Sequence, residues 1–260
     1  MPIVSEKSTQ EPRDLRPLGL VSIAVAMVAA TWVAAGTWKD VRVRPEVRTI
    51  EVTGSAKKRI TSDLIQWSAT VEVTGSDRSQ AYRVLHDHVA KAQAFLTGAG
   101  VKATDLRISS VSVEPQYVTE YEGKGEDRIE RQRLTGYETK QSLVISSTDV
   151  ALIERMSREI TGLLEQGVTI SSAAPAYFYT KLGEVKIEML AEASKDARTR
   201  ADKIVGSAGG ARIGRLRSAD MGVINVNPAN ATATSWEGNN DTSSVDKDIL
   251  TIVHATFELE

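Results

Sequence analysis

Three histidines, at positions 86, 88 and 254, are the first residues whose type could do chemistry. His86 and His88 stand two apart in a stretch of helical periodicity, so they face different ways and do not share a metal ion. His254 lies between Val253 and Ala255 in an alternating apolar run, which suits a packed or surface histidine better than a base. The serines include no Gly-x-Ser-x-Gly elbow, and none is set beside a histidine and a carboxylate. Gly206-Ser-Ala-Gly209-Gly210 resembles a phosphate loop, but it follows a helix, where phosphate cradles need the N–H groups of a helix start. It reads as a helix C-cap. Asp241, Asp246 and Asp248 offer a weak calcium site, yet their spacing is not that of an EF-hand and a solvated acidic loop is the better account. Two Asn-x-Thr sequons, at Asn230 and Asn240, carry meaning only in a host that glycosylates them. No catalytic, cofactor-binding or metal-binding residue is assigned, and the expectation is of a protein that is not an enzyme and needs no cofactor.

Composition narrows the classes further. A net charge of −2 and few aromatics argue against a nucleic-acid partner. The absence of cysteine excludes disulfides, thiolate metal sites and cysteine nucleophiles. With 41% hydrophobic and 25% charged residues the chain is ordinary globular material.

The elements follow from periodicity. Thr49–Gly54 alternates as a strand, Ser55–Thr61 reads as a basic hairpin tip, and Leu64–Val73 is a second strand with Trp67, Ala69, Val71 and Val73 on one face. Asp77–Leu96 is a helix capped by Ser76 or Asp77, with Ala81, Leu85, Ala92 and Phe95 at helical spacing. Leu106–Val118 is a strand whose parity changes near Ser109-Ser110, the mark of a bulge. Glu120–Arg133 reads as a long exposed hairpin loop before a strand at Tyr137–Ile145. A helix over Asp149–Glu165 and a strand over Val168–Tyr179 complete a βαββαβ order, the split βαβ of ferredoxin-like domains. An alanine-rich helix over Leu182–Ser207, a strand at Ile213–Val226, a polar loop at Asn225–Ser244 and a last strand at Ile249–Leu259 close the chain. Polar loops of that length are usually functional or disordered. The fold class expected is α+β, with mixed, largely antiparallel sheets and three helices, preceded by one N-terminal transmembrane helix.

That last element is Leu18–Trp38, 21 positions without a charge. As a helix it would be about 31 Å long, close to the hydrocarbon thickness of a bilayer. Arg13 and Arg16 precede it, as in a signal anchor or a signal peptide cut near Ala34–Ala35. The expected organisation is a disordered cytoplasmic head at 1–17, a transmembrane signal anchor (or signal peptide) at 18–38, a linker at 39–48 and a folded exported domain at 49–260.

Several segments together carry a family likeness: TIEVTGSA at 49–56, VEVTG at 71–75, VSVEPQY at 111–117, TGYE at 135–138, AEASKDARTRADKI at 191–204 leading through AGG to GRL, and the closing FEL at 257–259. In this order the chain resembles the SIMPL-domain family of bacterial envelope proteins, which includes periplasmic immunogenic and oxidative-stress-related members. One departure is Thr61-Ser62-Asp63, where the family commonly has a proline before the aspartate. The resemblance implies a mixed α+β domain, export and self-assembly, and brings no catalytic residues. The expected function is a membrane-tethered, self-associating, non-enzymatic cell-envelope protein with a link to envelope or oxidative stress. It would sit in the inner membrane as a single-pass homo-oligomer with its C-terminal domain in the periplasm, or be soluble there after signal cleavage. The alternative is a small-molecule-binding periplasmic domain with its ligand between sheet and helices; a hydrolase ranks below both.

Overall fold

The computed structural model of the chain describes residues 16–42, 48–123 and 128–260. Residues 1–15 of the expected head (1–17) and residues 43–47 of the expected linker (39–48) lie outside the described residues. The chain divides into two units, one comprising essentially the residues up to Thr49 and the other the remainder.

Among its described residues the first unit holds one helix, α1 (Arg16–Arg42). It adds a fourth α-helix to the three expected, and it runs four residues beyond Trp38. The transmembrane assignment of Leu18–Trp38 is corrected: among the described residues no helix is long and apolar enough to cross a membrane.

The second unit holds two sheets. The first contains β2 (Leu64–Gly75), β3 (Leu106–Ile108), β4 (Ser112–Glu122), β5 (Ile129–Ser147), β6 (Ile170–Ser172) and β7 (Ala176–Phe178). Its order is β3-β5-β2-β6, with these neighbours antiparallel, the strand order of a split βαβ arrangement. The alternation in β2 turns Ile65, Trp67, Ala69 and Val71 inward, each at most 2% exposed. They meet Leu85, Val89, Ala92 and Leu96 of α2 (Arg78–Gly98) and Ile153, Met156 and Ile160 at α3 (Val150–Glu159) and its end. Asp77 caps α2 by accepting the Gln80 N–H at 2.9 Å, and Asp149 caps α3 through the Leu152 N–H at 3.0 Å. After Glu159 the helix tightens into a 3₁₀ segment, Ile160–Gln166, which ends at Gly167 with φ 78°.

The parity change after Ile108 is a one-residue slip against β5: Ile108 faces Leu143 whereas Ser112 faces Lys140. A second slip at Gln116/Tyr117 restores the alternation. The long loop expected at Glu120–Arg133 is mostly strand. β4 and β5 stay paired out to Glu122 and Ile129, and the pair projects as a two-stranded arm. The sequence misled because its charges lie on the faces of a solvated ribbon, where they satisfy strand geometry as readily as a loop.

The second sheet has the order β1-β10-β8-β9, from β1 (Thr49–Thr61), β8 (Ile213–Pro228), β9 (Asn239–Asn240) and β10 (Asp246–Leu259). α4 (Leu182–Ala208) covers one face, burying Val185, Met189, Ala193, Ala197, Ala201 and Val205 at a spacing of four. The basic segment Ser55–Thr61 is strand rather than a hairpin tip. Ile60 is buried beneath α4, while Lys57 and Arg59 point the other way to Asp248. Asp63 joins the sheets, accepting 2.8 Å hydrogen bonds from the Thr180 N–H and hydroxyl.

Candidate functional site

None of the residues first considered for chemistry assembles into a catalytic group. His86 is exposed on α2, and His88 is half-buried with an unpartnered Nδ1. Burial, followed by the nearby Lys91, holds His88 below the usual histidine range. The three loop aspartates diverge. Asp246 accepts from Thr61 at 2.8 Å. Asp241 accepts from the Ser243 and Ser244 hydroxyls and from the buried ammonium of Lys247. Asp248 holds Arg59 at 2.9 Å, Lys57 at 2.9 Å and the Asn230 N–H at 2.7 Å. Cations and hydroxyls thus occupy the carboxylates that calcium would need. Among the described residues no group of three or more His, Cys, Asp or Glu side chains could hold a metal.

These contacts shift the carboxyl groups. Hydrogen bonds from Arg59, and then Lys57 and Asn230, outweigh burial and hold Asp248 well below the usual carboxylate range. Burial pushes Asp241 upward, but Ser243, Ser244 and Lys247 reverse this and leave it far below that range. On the open face of the first sheet Glu72 and Glu138 share a hydrogen bond beside Lys140. The bond to Glu138, with burial, raises Glu72, while Glu138 is lowered. This pair was not read from the sequence, because β2 and β5 lie far apart along the chain. It lies on a flat sheet face and encloses nothing.

The polar segment Asn225–Ser244 is built rather than loose. The nearly inaccessible Asn225 accepts the Ser235 N–H at 2.9 Å. Buried Asn227 donates to the Ala233 carbonyl at 2.6 Å and accepts from Asn239 at 2.7 Å. Arg59 donates to Asn230 at 2.7 Å. These bonds hold Thr234–Trp236 over the helix-free face of the second sheet. Between loop and sheet lies a cavity of about 210 Å³, floored by Val223, Ile252, His254 and Thr53 and rimmed by Ser235 and Trp236. The Thr53 hydroxyl and His254 Nδ1 are 3.0 Å apart.

A ligand between sheet and helix, the placement of the alternative reading, meets filled space at the centre of α4, where Gly54 touches Ala193 and Ala197. At the edge of β1 and α4 an open trough of about 560 Å³ remains. Several of its charges are matched: Lys58 pairs with Glu188, and Asp196 accepts the Ser55 N–H and pairs with Arg200.

The arm is the other unusual surface. Tyr117, Tyr121 and Leu134 share one side of it and are 55%, 54% and 44% exposed. The Arg128 guanidinium lies 3.8 Å from the centre of the Tyr121 ring. On the opposite side Arg133 pairs with Glu120 at 2.7 Å and Arg131 with Glu122 at 3.4 Å. Among the described residues β4 pairs only with β5, and β5 leaves β2 at Tyr137, so both edges of the arm carry unpaired backbone groups.

With this architecture, a mixed α+β domain of two sheets and an alanine-lined helix, the comparison with known families is direct. The SIMPL family, described as a protein of unknown function (DUF541), matches residues 50–250. The chain belongs to the SIMPL family. No curated protein matches it.

Proposed function

We propose that this SIMPL-family chain is a non-enzymatic cell-envelope protein that works by self-association through its β4–β5 arm. The observation that carries the reading is the state of that arm. An isolated two-stranded ribbon is marginal in water, and exposed strand edges pair readily with another chain. Here such a ribbon has free edges and a stripe formed by Tyr117, Tyr121 and Leu134. A second copy offers the same edge and the same stripe, which suits an isologous contact. The envelope location rests on the resemblance to exported proteins, and a periplasmic domain is the form of it proposed.

Sedimentation velocity of the full chain at rising concentration tests the reading. A species heavier than one chain, lost when Tyr117 and Tyr121 are both changed to serine, is the expected result. A single-chain mass at every concentration overturns it.

A further inference from the structure

The geometry points to the cavity under the Thr234–Trp236 segment as a binding site for a small, uncharged aromatic molecule carrying one hydrogen-bonding group. This goes beyond self-association and does not depend on it, since the cavity and the arm share no residue.

Three observations carry it. The first is construction. Burying polar side chains is costly unless each is satisfied, and Asn225, Asn227 and Asp248 are all at most 2% exposed. Their bonds go to Ser235, Ala233 and Asn230, so the network fixes the backbone that walls the cavity. The second is Trp236. An ordered segment holds this indole 93% exposed at the rim, where a large apolar ring gains little from folding. A ring arriving in the cavity would give it a face to pack against. The third is the lining itself. Val223 and Ile252 are apolar, no Asp, Glu, Lys or Arg contributes, and the polar groups on the floor are the paired Thr53 hydroxyl and His254 imidazole. A charged ligand would be desolvated there without a counter-ion, whereas a phenol or an indole N–H meets a hydrogen-bonding group. A volume of about 210 Å³ takes one or two fused rings and is below the range usual for larger ligands.

The full chain is titrated with indole, 4-methylphenol and benzoate by calorimetry, and the bound site is mapped by amide and indole N–H shifts in NMR. The expected result is saturable, one-site binding of indole or 4-methylphenol, with shifts at 222–225, 234–236 and 252–254. Benzoate should bind at least about tenfold more weakly than 4-methylphenol. Trp236→Ala removes an exposed ring, so its melting midpoint should match the parent while affinity falls about tenfold or more. No saturable binding overturns the proposal. So do shifts that map to Tyr117 and Tyr121, benzoate binding as tight as that of 4-methylphenol, or parental affinity in a folded Trp236→Ala protein.

Discussion

Gly54 of β1 lies directly on the backbone of Ala193 in α4. A methyl group built on its Cα would stand 2.1 Å from the Ala193 carbonyl oxygen, 2.4 Å from the Ala197 nitrogen and 2.7 Å from the Ala197 Cβ. Real Cβ atoms do not approach so closely, so glycine on the strand and alanine on the helix together set the distance between the second sheet and its only long helix. Gly54→Ala forces that helix outward. The expected loss is about 3 kcal/mol or more, at or above the upper end of overpacking costs, because backbone rather than a flexible side chain must move. Urea unfolding measures it. Gly162→Ala, where an added methyl meets nothing within 4 Å, is the control and should change stability by less than about 1 kcal/mol.

A second glycine contact works the same way in the first sheet. A Cβ on Gly136 would be 2.6 Å from the Gly75 carbonyl oxygen, just where β5 leaves β2. Gly136→Ala should therefore destabilise the base of the arm by about 1–3 kcal/mol. Amide exchange should report faster opening at Tyr137–Thr139 than in α2.

These two contacts explain what the sequence could and could not reveal. Inward residues such as Trp67, Ala69 and Val71 were legible because a strand buried on one face repeats every two residues. The α4 stripe was legible in part: alanines at 193, 197 and 201 mark a close approach, but nothing local says that Gly54 is the partner. Asp248 looked like a solvated loop residue because Lys57 and Arg59, which bury it, lie almost two hundred positions earlier. The cavity was illegible for the same reason. Thr53, Val223, Trp236 and His254 converge only once β1, β8 and β10 are side by side and Asn225 has drawn Ser235 in.

Lys247 is 1% exposed, and its ammonium reaches the carboxylate of Asp241, itself almost inaccessible, at 3.1 Å. Removing one partner of a buried ion pair leaves an uncompensated charge. Asp241→Ala should cost about 3–5 kcal/mol, while the double change Asp241→Ala with Lys247→Met should recover much of that loss. Thermal unfolding of the two variants checks the order, and a double variant as unstable as the single one would contradict it.

Acid should release the 228–248 segment through Asp241 and Asp248. Both carboxyls are lowered in the folded state, so the unfolded chain binds protons first as pH falls. Their stabilisation is fully present above the ordinary carboxylate value near 3.8 and is lost progressively as pH drops below it, toward the folded values. Unfolding free energy measured between pH 7 and pH 2 should fall steeply below about pH 4. Asp248→Asn should flatten that slope and lower stability at neutral pH. The neutral-pH loss should be smaller than for Asp241→Ala, because Lys57 and Arg59 are half exposed and can turn to water, whereas Lys247 cannot.

The arm yields the prediction that bears most directly on function. Tyr117 and Leu134 sit opposite each other on it, both exposed, and they contribute little to the core of their own domain. Leu134→Lys should therefore leave the unfolding free energy of a single chain within about 0.5 kcal/mol of the parent, as surface changes generally do. In an assembly built on this stripe the same lysine is brought against its symmetry mate, where like charges meet in an apolar contact. The assembly should then dissociate at concentrations where the parent remains associated, and more strongly at low salt than at high salt, because screening weakens the repulsion. Light scattering of the full chain at two ionic strengths separates the outcomes. Dissociation without unfolding places the contact on the arm, and an unchanged mass moves it elsewhere.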